Sequence, residues 1–427
     1  MIIVDKKLEQ LEQSGRPIRV GLIGAGFAGR GFMLQMLTAV AGMKLVAVSN
    51  RTRFYALQGF KNAGFGNYKD VSNLSELEEA IKEGKCALTD DPFLLTDSNK
   101  IDVIVEATGE VEFGSQVVLR AIENRKHVVL INAELDSTLG PILKVKAEEK
   151  GVVYTQADGD QPAVLMNLYR QVKSWGFKPV MVGNIKSLID VRRTPETQAK
   201  WAAEHFQRPK MVTSFADGTK IGAEMATIAN ATGFPVSKRS MEGPKCDRVE
   251  NAYKLFDLKK LTTTGLTDYI LGAEPSFGVF VLATCDQPIR ARYMSVYKMG
   301  DGPLYTFYVP YHLSPLEAPL SVARAVLFGD AALTPIGKPV CDVVTLAKRD
   351  IKKGEKLDGI GGFLTYGAID NADVCLKDNL LPIGLADGCV STEDIPIDTA
   401  ITYDMVELPK GRLADKLRKE QNAKFFK

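Results

Sequence analysis

Residues Ile18–Gly31 read IRVGLIGAGFAGRG, and this stretch decides the fold. A short apolar run, 19–23, leads into glycines at the spacing Gly24-x-Gly26-x-x-Gly29, and a helical pattern follows over 31–41. In such a strand–turn–helix the first glycine makes the tight turn, the second admits a pyrophosphate and the third allows close packing. The helix N-terminus adds unpaired N–H groups and the positive end of the helix dipole. The stretch therefore predicts dinucleotide binding rather than a glycine-rich turn without a ligand, and the predicted contacts are Gly24, Gly26, Phe27, Ala28 and Gly29.

The second predicted strand, 44–49, bears on which dinucleotide is bound. It ends in Asn50-Arg51-Thr52-Arg53, where an NAD-preferring site usually places an acid for the ribose 2′-hydroxyl. Here Asn50 stands where that acid would be and two arginines follow, which favours a 2′-phosphate, so Asn50 and Arg51 are predicted to bind NADP(H), with NAD(H) as the alternative. Arg51 and Arg53 could equally be solvated residues at a helix start.

Two further apolar runs, 101–107 and 127–131, predict buried parallel strands. Thr108-Gly109-Glu110 follows the first, and Asn132-Ala133-Glu134-Leu135-Asp136 follows the second. Ligands bind outside the carboxyl ends of such strands, so Thr108 and Gly109 are predicted to contact the nicotinamide side of the cofactor and Glu134 the substrate. A helix over 139–150 and a strand over 152–156 close a doubly wound domain.

Composition limits the classes of function. The chain has 427 residues and a net charge of +2, which argues against a dedicated nucleic-acid surface, and no apolar run is long enough to span a membrane. Its six cysteines show no paired spacing, and it has only three histidines, so disulfides, thiolate zinc and histidine-rich metal sites are not expected. We therefore expect a cytoplasmic enzyme whose proton transfer falls to Lys, Asp or Glu.

The predicted last strand of the first domain is followed by Asp158 and Asp160. Two carboxylates beyond a strand end could hold a divalent ion or a substrate hydroxyl. Asp160 could instead cap the helix predicted over 162–175, with Asp158 as a turn residue. Both readings stay open at the sequence level.

The middle of the chain offers two lysines as proton donors to a carbonyl oxygen. Asp217-Gly218-Thr219-Lys220 opens a predicted helix over 221–231, and Glu224 lies one turn beyond Lys220. Lys220 would protonate the substrate and Asp217 would orient it, the alternative being a surface ion pair. Lys298 is the other candidate, at the end of a predicted strand 294–299 that would form a hairpin with 304–309.

Three segments resemble the NAD-binding domain of homoserine dehydrogenases: IGAGFAGRG (23–31), VIVEATGEVEFG (103–114) and LINAELDSTLGP (130–141). That resemblance implies a lysine–aspartate pair in the domain that follows the cofactor domain. In the family, the segment after the strand that precedes Asn132 carries a lysine near the reacting carbon. Here the equivalent positions are Glu134 and Asp136, which departs from the family pattern.

The C-terminal part contains AKRDI (347–351) and KGEKL (353–357), which resemble the SAF domain, a small β module. A strand, a polar turn and a second strand are predicted over 343–357. The predicted architecture is therefore α/β: an N-terminal Rossmann domain with a doubly wound parallel sheet (1–157), an α+β catalytic and oligomerisation domain (158–335), and a small β-rich SAF-like domain with a C-terminal helical tail (336–427).

The combination resembles predicted oxidoreductases that include the enzymes similar to 1-deoxy-D-xylulose 5-phosphate reductoisomerase. Shared segments are FADGTK (215–220), IANATGF (228–234), KMGDGP (298–303) and YVPYHL (308–313). The resemblance implies NADP(H)-dependent reduction of a small polyhydroxylated carbonyl compound, and a reductoisomerase would also need Mg²⁺ or Mn²⁺. A homo-oligomer, dimer or tetramer, is expected, with no nucleic-acid or membrane partner. The alternatives are a homoserine dehydrogenase and a non-catalytic NADP-binding sensor or scaffold whose SAF module binds a sugar.

Overall fold

The computed structural model describes residues 3–426, so Met1, Ile2 and Lys427 of the predicted terminal helices lie outside the described residues. The chain forms two compact units. Unit 1 contains the chain up to Asp160 together with Leu313–Thr334 and Lys416–Gln421. Unit 2 contains Gln161–His312, Pro335–Asp415 and the residues from Asn422 on. The three predicted domains were continuous segments, whereas the segment 313–334 belongs to unit 1.

Unit 1 is built on a seven-stranded sheet in the order β3-β4-β2-β1-β5-β6-β7, in which every pairing is parallel. Most strands are buried on both faces, as the continuous apolar runs predicted. The order reverses between β1 and β5, and this topological switch point is where ligands bind in such sheets. The strands are β1 (Ile18–Ile23), β2 (Met43–Ser49), β3 (Tyr68–Asp70), β4 (Cys86–Thr89), β5 (Val103–Glu106), β6 (His127–Leu130) and β7 (Tyr154–Gln156).

Six of the helices of unit 1, α2 to α7, connect these strands in sequence. Asn132 shows why one of them starts where it does, because its side chain accepts a hydrogen bond from the Leu135 N–H and caps α7. That helix begins at Ala133, six residues before its predicted start. The helices are α1 (Ile3–Gln13), α2 (Phe27–Thr38), α3 (Arg53–Asn62), α4 (Leu74–Lys82), α5 (Phe93–Asp97), α6 (Val111–Glu123), α7 (Ala133–Lys150), α14 (Ser314–Phe328) and the 416–421 part of α16 (Leu413–Phe425).

Unit 2 contains a four-stranded mixed sheet in the order β11-β10-β8-β9, where β8 and β9 run parallel and β10 runs antiparallel to both of its neighbours. Two antiparallel pairs, β12 with β13 and β14 with β15, lie toward the C-terminus. The strands are β8 (Lys178–Lys186), β9 (Leu266–Leu271), β10 (Val279–Thr284), β11 (Leu304–Val309), β12 (Cys341–Ala347), β13 (Thr365–Asn371), β14 (Val390–Ser391) and β15 (Val406–Glu407).

The helices of unit 2 surround these sheets. Among them, α11 packs against α8 on one side and against β12 and β13 on another, which explains why nearly all of its residues are buried. The helices are α8 (Gln161–Ser174), α9 (Pro195–Glu204), α10 (Pro209–Ala216), α11 (Thr219–Thr232), α12 (Leu258–Thr264), α13 (Pro288–Val296) and α15 (Ala372–Lys377). Among residues 3–426, no helix combines the length and the apolar character needed to cross a bilayer.

The predicted strand over 294–299 is wrong. Residues 294–296 form the end of helix α13, and 297–299 form the turn and bend that follow it. The N-cap residue of this helix, Gln287, accepts hydrogen bonds from the N–H groups of Ile289 and Arg290. Pro288 at the first helical position also suits this start, and the strand prediction did not take these two helix-start signals into account. The partner of β11 is β10 instead.

The predicted strand–turn–strand over 343–357 is also only half correct. The first strand exists as β12, but it pairs with β13, which the sequence pattern did not reveal. Residues Ile351 and Lys356 form isolated bridges with Ile395 and Val390 instead of a second strand. The SAF resemblance stays a prediction.

Candidate functional site

The turn between β1 and α2 has the geometry that its three glycines predicted. Gly24 has φ = +102°, and a Cβ there would lie 2.7 Å from the carbonyl group of Ala107. A Cβ on Gly29 would lie 2.0 Å from the Gly24 oxygen, so only glycine fits both positions. No atom lies within 4 Å of a Cβ built on Gly26. Gly26 is therefore the position where the backbone is open to a ligand.

The N-terminus of α2 has the chemistry of an anion site. Gly26 is its N-cap and supplies no side-chain hydrogen bond, and its first turn, which contains Phe27 and Ala28, has no acidic residue. The N–H groups of that turn, together with the helix dipole, therefore suit a diphosphate. On these two observations the loop fits a dinucleotide.

Asn50 shapes this loop. Its Oδ1 accepts a hydrogen bond of 2.8 Å from the Ala25 N–H, and its Nδ2 donates one of 2.7 Å to the Thr52 oxygen. Both ends of the carboxamide are thus used to tie the glycine turn to the end of β2. The sequence reasoning gave Asn50 only a contact with the cofactor and missed this role, which an amide in place of the usual acid could have suggested.

Arg51 is the exposed cation beyond β2. It makes no hydrogen bond and no ion pair with any residue in 3–426, whereas Arg53 forms an ion pair with Asp70 on the surface. Of the two arginines, Arg51 is thus the one whose guanidinium is available to an anion.

The loop after β5 is organised by a buried carboxylate. The Thr108 N–H donates a hydrogen bond of 2.8 Å to Glu106 Oε1, and the Thr108 hydroxyl donates to the same atom. Gly109 has φ = +71°, which turns the chain, and the Glu110 N–H donates to the Thr108 hydroxyl at 3.3 Å. Thr108 and Gly109 therefore form a fixed loop at the carboxyl edge of the sheet.

Glu106, the last residue of β5, is fully buried and was not singled out from the sequence. Its Oε2 accepts a hydrogen bond of 2.7 Å from Asn132 Nδ2, which also donates to the Glu110 oxygen at 3.1 Å. Burial raises the pKa of Glu106 to about 7, and the nearby Glu134 contributes in the same direction. The available signal was an acid at the end of an otherwise apolar run. Burying a carboxyl group costs free energy, so an acid kept at such a position is a candidate for a functional role.

Glu134 and Asp136 lie in the first turn of α7 rather than in the loop that was predicted, and both are buried. The first turn of a helix stabilises acids through the helix dipole. Asp136 Oδ1 accepts a hydrogen bond of 2.7 Å from the Tyr154 hydroxyl of β7. The carboxyl edge of β5, β6 and β7 thus gathers three buried acids, and the predicted substrate contact of Glu134 stays a prediction.

Asp158 has a structural explanation that the sequence reasoning did not foresee. Its carboxylate is buried and accepts hydrogen bonds of 2.9 and 3.2 Å from Nη1 of Arg324 in α14. It also accepts one of 2.8 Å from the Ser321 hydroxyl. Arg324 in turn pairs with Asp330 at 2.7 Å. Because this buried pair accounts for the carboxylate, the prediction that Asp158 orients a substrate or holds a metal is not supported by its surroundings.

Asp217, in unit 2, is likewise engaged in a buried ion pair. Lys348 Nζ donates to its Oδ2 at 2.8 Å and also donates to the carbonyl oxygens of Arg193 and Gly362. Burial raises the pKa of Asp217, while the ammonium of Lys348 acts in the opposite direction. Asp217 was predicted to orient the substrate, but its partner is Lys348, which the sequence placed in the SAF-like segment.

The two candidate lysines are in different surroundings. Lys220 is the second residue of α11 and half-buried, and Glu224 on the same helix face is buried. Lys298 is exposed, follows the end of α13 and has φ = +60°, so it does not lie at a strand end as predicted. Burial beside polar groups is typical of an acid–base lysine, and it favours Lys220.

Metal ligands were also considered. Within the described residues, no group of three or more His, Cys, Asp or Glu side chains is arranged to hold a metal ion. The Mg²⁺ or Mn²⁺ of a reductoisomerase thus has no preformed ligand group in this part of the chain. Two surface clefts, of about 720 and 360 Å³, contain none of the predicted site residues.

Two models of known protein families match this chain, one in its first part and the other in the part that follows. Residues 24–156 match the model of the homoserine dehydrogenase NAD-binding domain, and residues 159–318 match the model of the catalytic domain of the oxidoreductase DRL. The chain is 29% identical over 141 residues to a homoserine dehydrogenase of Neisseria gonorrhoeae, covering 32% of this chain and 28% of that protein. It is 33% identical over 120 residues to one of Methylobacillus glycogenes, covering 28% of this chain and 26% of that protein. These matches span about a quarter of the curated relatives.

Two solved structures are distantly similar. A probable dehydrogenase from Thermotoga maritima has a TM-score of 0.42 and 12% identity, covering 75% of this chain and 91% of that one. The myo-inositol dehydrogenase of Lactobacillus casei, in complex with NAD(H) and myo-inositol, has a TM-score of 0.34 and 13% identity, covering 70% and 68%. The two family models together run from Gly24 to Ala318 with only residues 157–158 between them, so this part of the chain is similar first to the NAD-binding domain of homoserine dehydrogenase and then to the catalytic domain of the oxidoreductase DRL.

Proposed function

We propose that this protein is an NADP(H)-dependent oxidoreductase that acts on a small polyhydroxylated carbonyl compound. The observation that carries the cofactor part is the open glycine turn at Gly26 with the exposed guanidinium of Arg51 beyond the next strand. The acid that binds a ribose 2′-hydroxyl is absent at Asn50, and a cation next to that position, Arg51, suits a 2′-phosphate.

The residues that would hold the cofactor are Gly24, Gly26 and Gly29 with the first turn of α2, and Arg51 on the 2′-phosphate. Thr108 and Gly109 lie on the other side of the switch point, where the nicotinamide half of a dinucleotide binds. When bound, the nicotinamide ring supplies or accepts a hydride. The protein's part is to bind and orient it and to exclude water.

On the substrate side, Lys220 donates a proton to the carbonyl oxygen as negative charge develops there. Stabilising the negative charge on such an oxygen commonly accounts for a large part of an enzyme's rate enhancement. Glu134 hydrogen-bonds a substrate hydroxyl group, since a carboxylate is an acceptor. Asp158 and Asp217 are left out of this mechanism because buried ion pairs already engage them.

The finer proposal is a reductoisomerase of keto-sugar phosphates or sugar acids, which is suggested by the resemblance of the motifs given above, while the match of residues 159–318 to the DRL catalytic domain supports an oxidoreductase. A second candidate, homoserine dehydrogenase, is favoured by the match of residues 24–156 and by the curated relatives. Homoserine oxidation by the purified protein separates the two. Glu134, in place of the lysine expected after β6, argues for the first.

Thermal unfolding with NADPH, with NADH and without cofactor tests the cofactor assignment. We expect NADPH to raise the melting temperature most, because a ligand present at a hundred times its Kd stabilises the native state by about 2.7 kcal/mol. The Arg51→Ala variant should lose the preference for NADPH over NADH and keep the melting temperature of the free protein, since Arg51 is exposed. Arg53→Ala, the matched control, should keep the preference. A larger shift with NADH than with NADPH in the unmodified protein would refute the assignment.

A further inference from the structure

Glu106 is an ionisable group that the proposed mechanism does not use. It lies in the middle of the sheet of unit 1, where Ile23 of β1 and Leu130 of β6 pair with it. Helix α6 closes over it, since a Cβ on Gly114 would lie 3.4 Å from Glu106 Oε2. Its carboxyl group is nevertheless at the carboxyl ends of the strands, the edge where the cofactor binds.

The charged neighbour that acts most strongly on Glu106 is of its own sign: it is Glu134, in the first turn of α7. The same turn of α7 carries Asp136, and the start of α6, the helix packed over Glu106, carries Glu110 and Glu112. The hydrogen bonds to its carboxyl group come from neutral donors, the N–H and hydroxyl of Thr108 and the amide of Asn132, and none comes from a cation among residues 3–426. A buried carboxyl group in such surroundings is costly to ionise, and burial raises its pKa to about 7.

We propose that Glu106 is a positioning residue that responds to the charge of the bound nicotinamide, being ionised beside the oxidised ring and protonated beside the reduced ring. The proposal rests on the proposed function, because it requires NADP⁺ and NADPH to bind at this edge. The two cofactors differ by one hydride, and the oxidised ring carries the positive charge that the reduced ring lacks. Since no cationic side chain among residues 3–426 donates a hydrogen bond to Glu106, the oxidised ring would supply a positive charge that its hydrogen-bond partners do not.

The coupling is reciprocal. A positive ring nearby favours the carboxylate and lowers the pKa of Glu106, and the carboxylate by the same factor favours NADP⁺ over NADPH. Below the pKa the group is neutral and the preference disappears. The ratio of the two dissociation constants, Kd(NADP⁺) to Kd(NADPH), should therefore fall as the pH rises through the region around 7. The 2′-phosphate also titrates near pH 6, but it is common to both cofactors and cancels in the ratio.

The test is to measure both dissociation constants from about pH 5.5 to about pH 8.5 by titration calorimetry. We expect the ratio to change by about tenfold over this range, which corresponds to a difference of about one pKa unit between the two complexes. In Glu106→Gln, whose amide is neutral at every pH, the ratio should be constant. In Glu134→Gln the ratio should still fall, at lower pH, because one negative neighbour is removed.

A pH-independent ratio in the unmodified protein, or the same fall in Glu106→Gln, would overturn the inference. If Glu106→Gln does not fold, calorimetry of the unmodified protein in buffers of different ionisation enthalpy decides, because NADP⁺ must release more protons than NADPH on binding near pH 7. Equal proton release would refute the inference. Binding of neither cofactor would refute the proposed function as well, so the two failures are distinguishable.

Discussion

At the scale of single residues, the structure separates acids that support the fold from acids that remain available for chemistry. Asp158 and Asp217 looked like substrate contacts in the sequence, since both follow turns near predicted strand or helix ends. Each is instead buried with one cation, Arg324 and Lys348 respectively. Glu106 is equally buried but has only neutral donors. A buried acid without a cation is the stronger candidate for function.

The Asp158–Arg324 pair gives a prediction at this scale. Arg324→Met should lower the free energy of unfolding by about 3–5 kcal/mol, because removing one partner leaves a buried charge unpaired. The double variant Arg324→Met with Asp158→Asn should regain a large part of that loss, since it buries no unpaired carboxylate. Urea denaturation of the single and double variants measures this. Equal destabilisation of the two would show that packing of the Arg324 stem, and not charge, is responsible.

At the scale of elements, the strand–turn–helix β1–α2 could be predicted closely from sequence and α13 could not. Each glycine of the turn answers a local requirement: Gly24 has a positive φ, Gly29 leaves no room for a Cβ, and Gly26 leaves the backbone open, so their spacing indicates the geometry by itself. The residues at 294–299 carried no such constraint. The helix is favoured by signals upstream: the Gln287 side chain accepts hydrogen bonds from the first N–H groups of the helix, and Pro288 has no N–H that would need a partner there.

The glycines of this turn give a second prediction. Gly26→Ala should leave the melting temperature of the free protein nearly unchanged, since its Cβ meets no atom within 4 Å, but it should abolish the shift caused by NADPH. Gly29→Ala should lower the melting temperature of the free protein, since its Cβ would lie 2.0 Å from the Gly24 oxygen. Differential scanning calorimetry with and without NADPH distinguishes the two roles. If NADPH still raises the melting temperature of Gly26→Ala, the pyrophosphate does not bind at this turn.

At the scale of the whole molecule, the chain is not arranged as successive segments. Residues 313–334 belong to unit 1, although they follow the sheet of unit 2 in sequence. In unit 1, α14 packs against α2, and its Arg324 pairs with Asp158 just after β7. No local sequence pattern indicates that the chain comes back to unit 1 at this point, because Asp158 and Arg324, which pair there, lie 166 residues apart.

Catalytic turnover, which is measured on the whole molecule, distinguishes the two candidate lysines. Lys220→Met should lower turnover by about a hundredfold or more, the range for loss of a general acid. Lys298→Met, the control, should change it less than about twofold, since surface substitutions rarely matter. Steady-state kinetics with a keto-sugar phosphate found by screening provides the measurement. Turnover retained by Lys220→Met would exclude Lys220 as the acid.

The sequence by itself determined the parallel sheet of unit 1, its glycine turn, Arg51 beyond β2 and the polar loops after β5 and β6. These features depend on local conformation and on the periodicity of apolar residues, which neighbouring positions encode. Only the tertiary structure decided that Asn50 holds the turn, that Asp158 and Asp217 are neutralised and that Glu106 is buried without a cation. Each of those facts depends on a partner, or on the lack of one, far away in the chain, and the energy of a buried charge is set by what surrounds it in space.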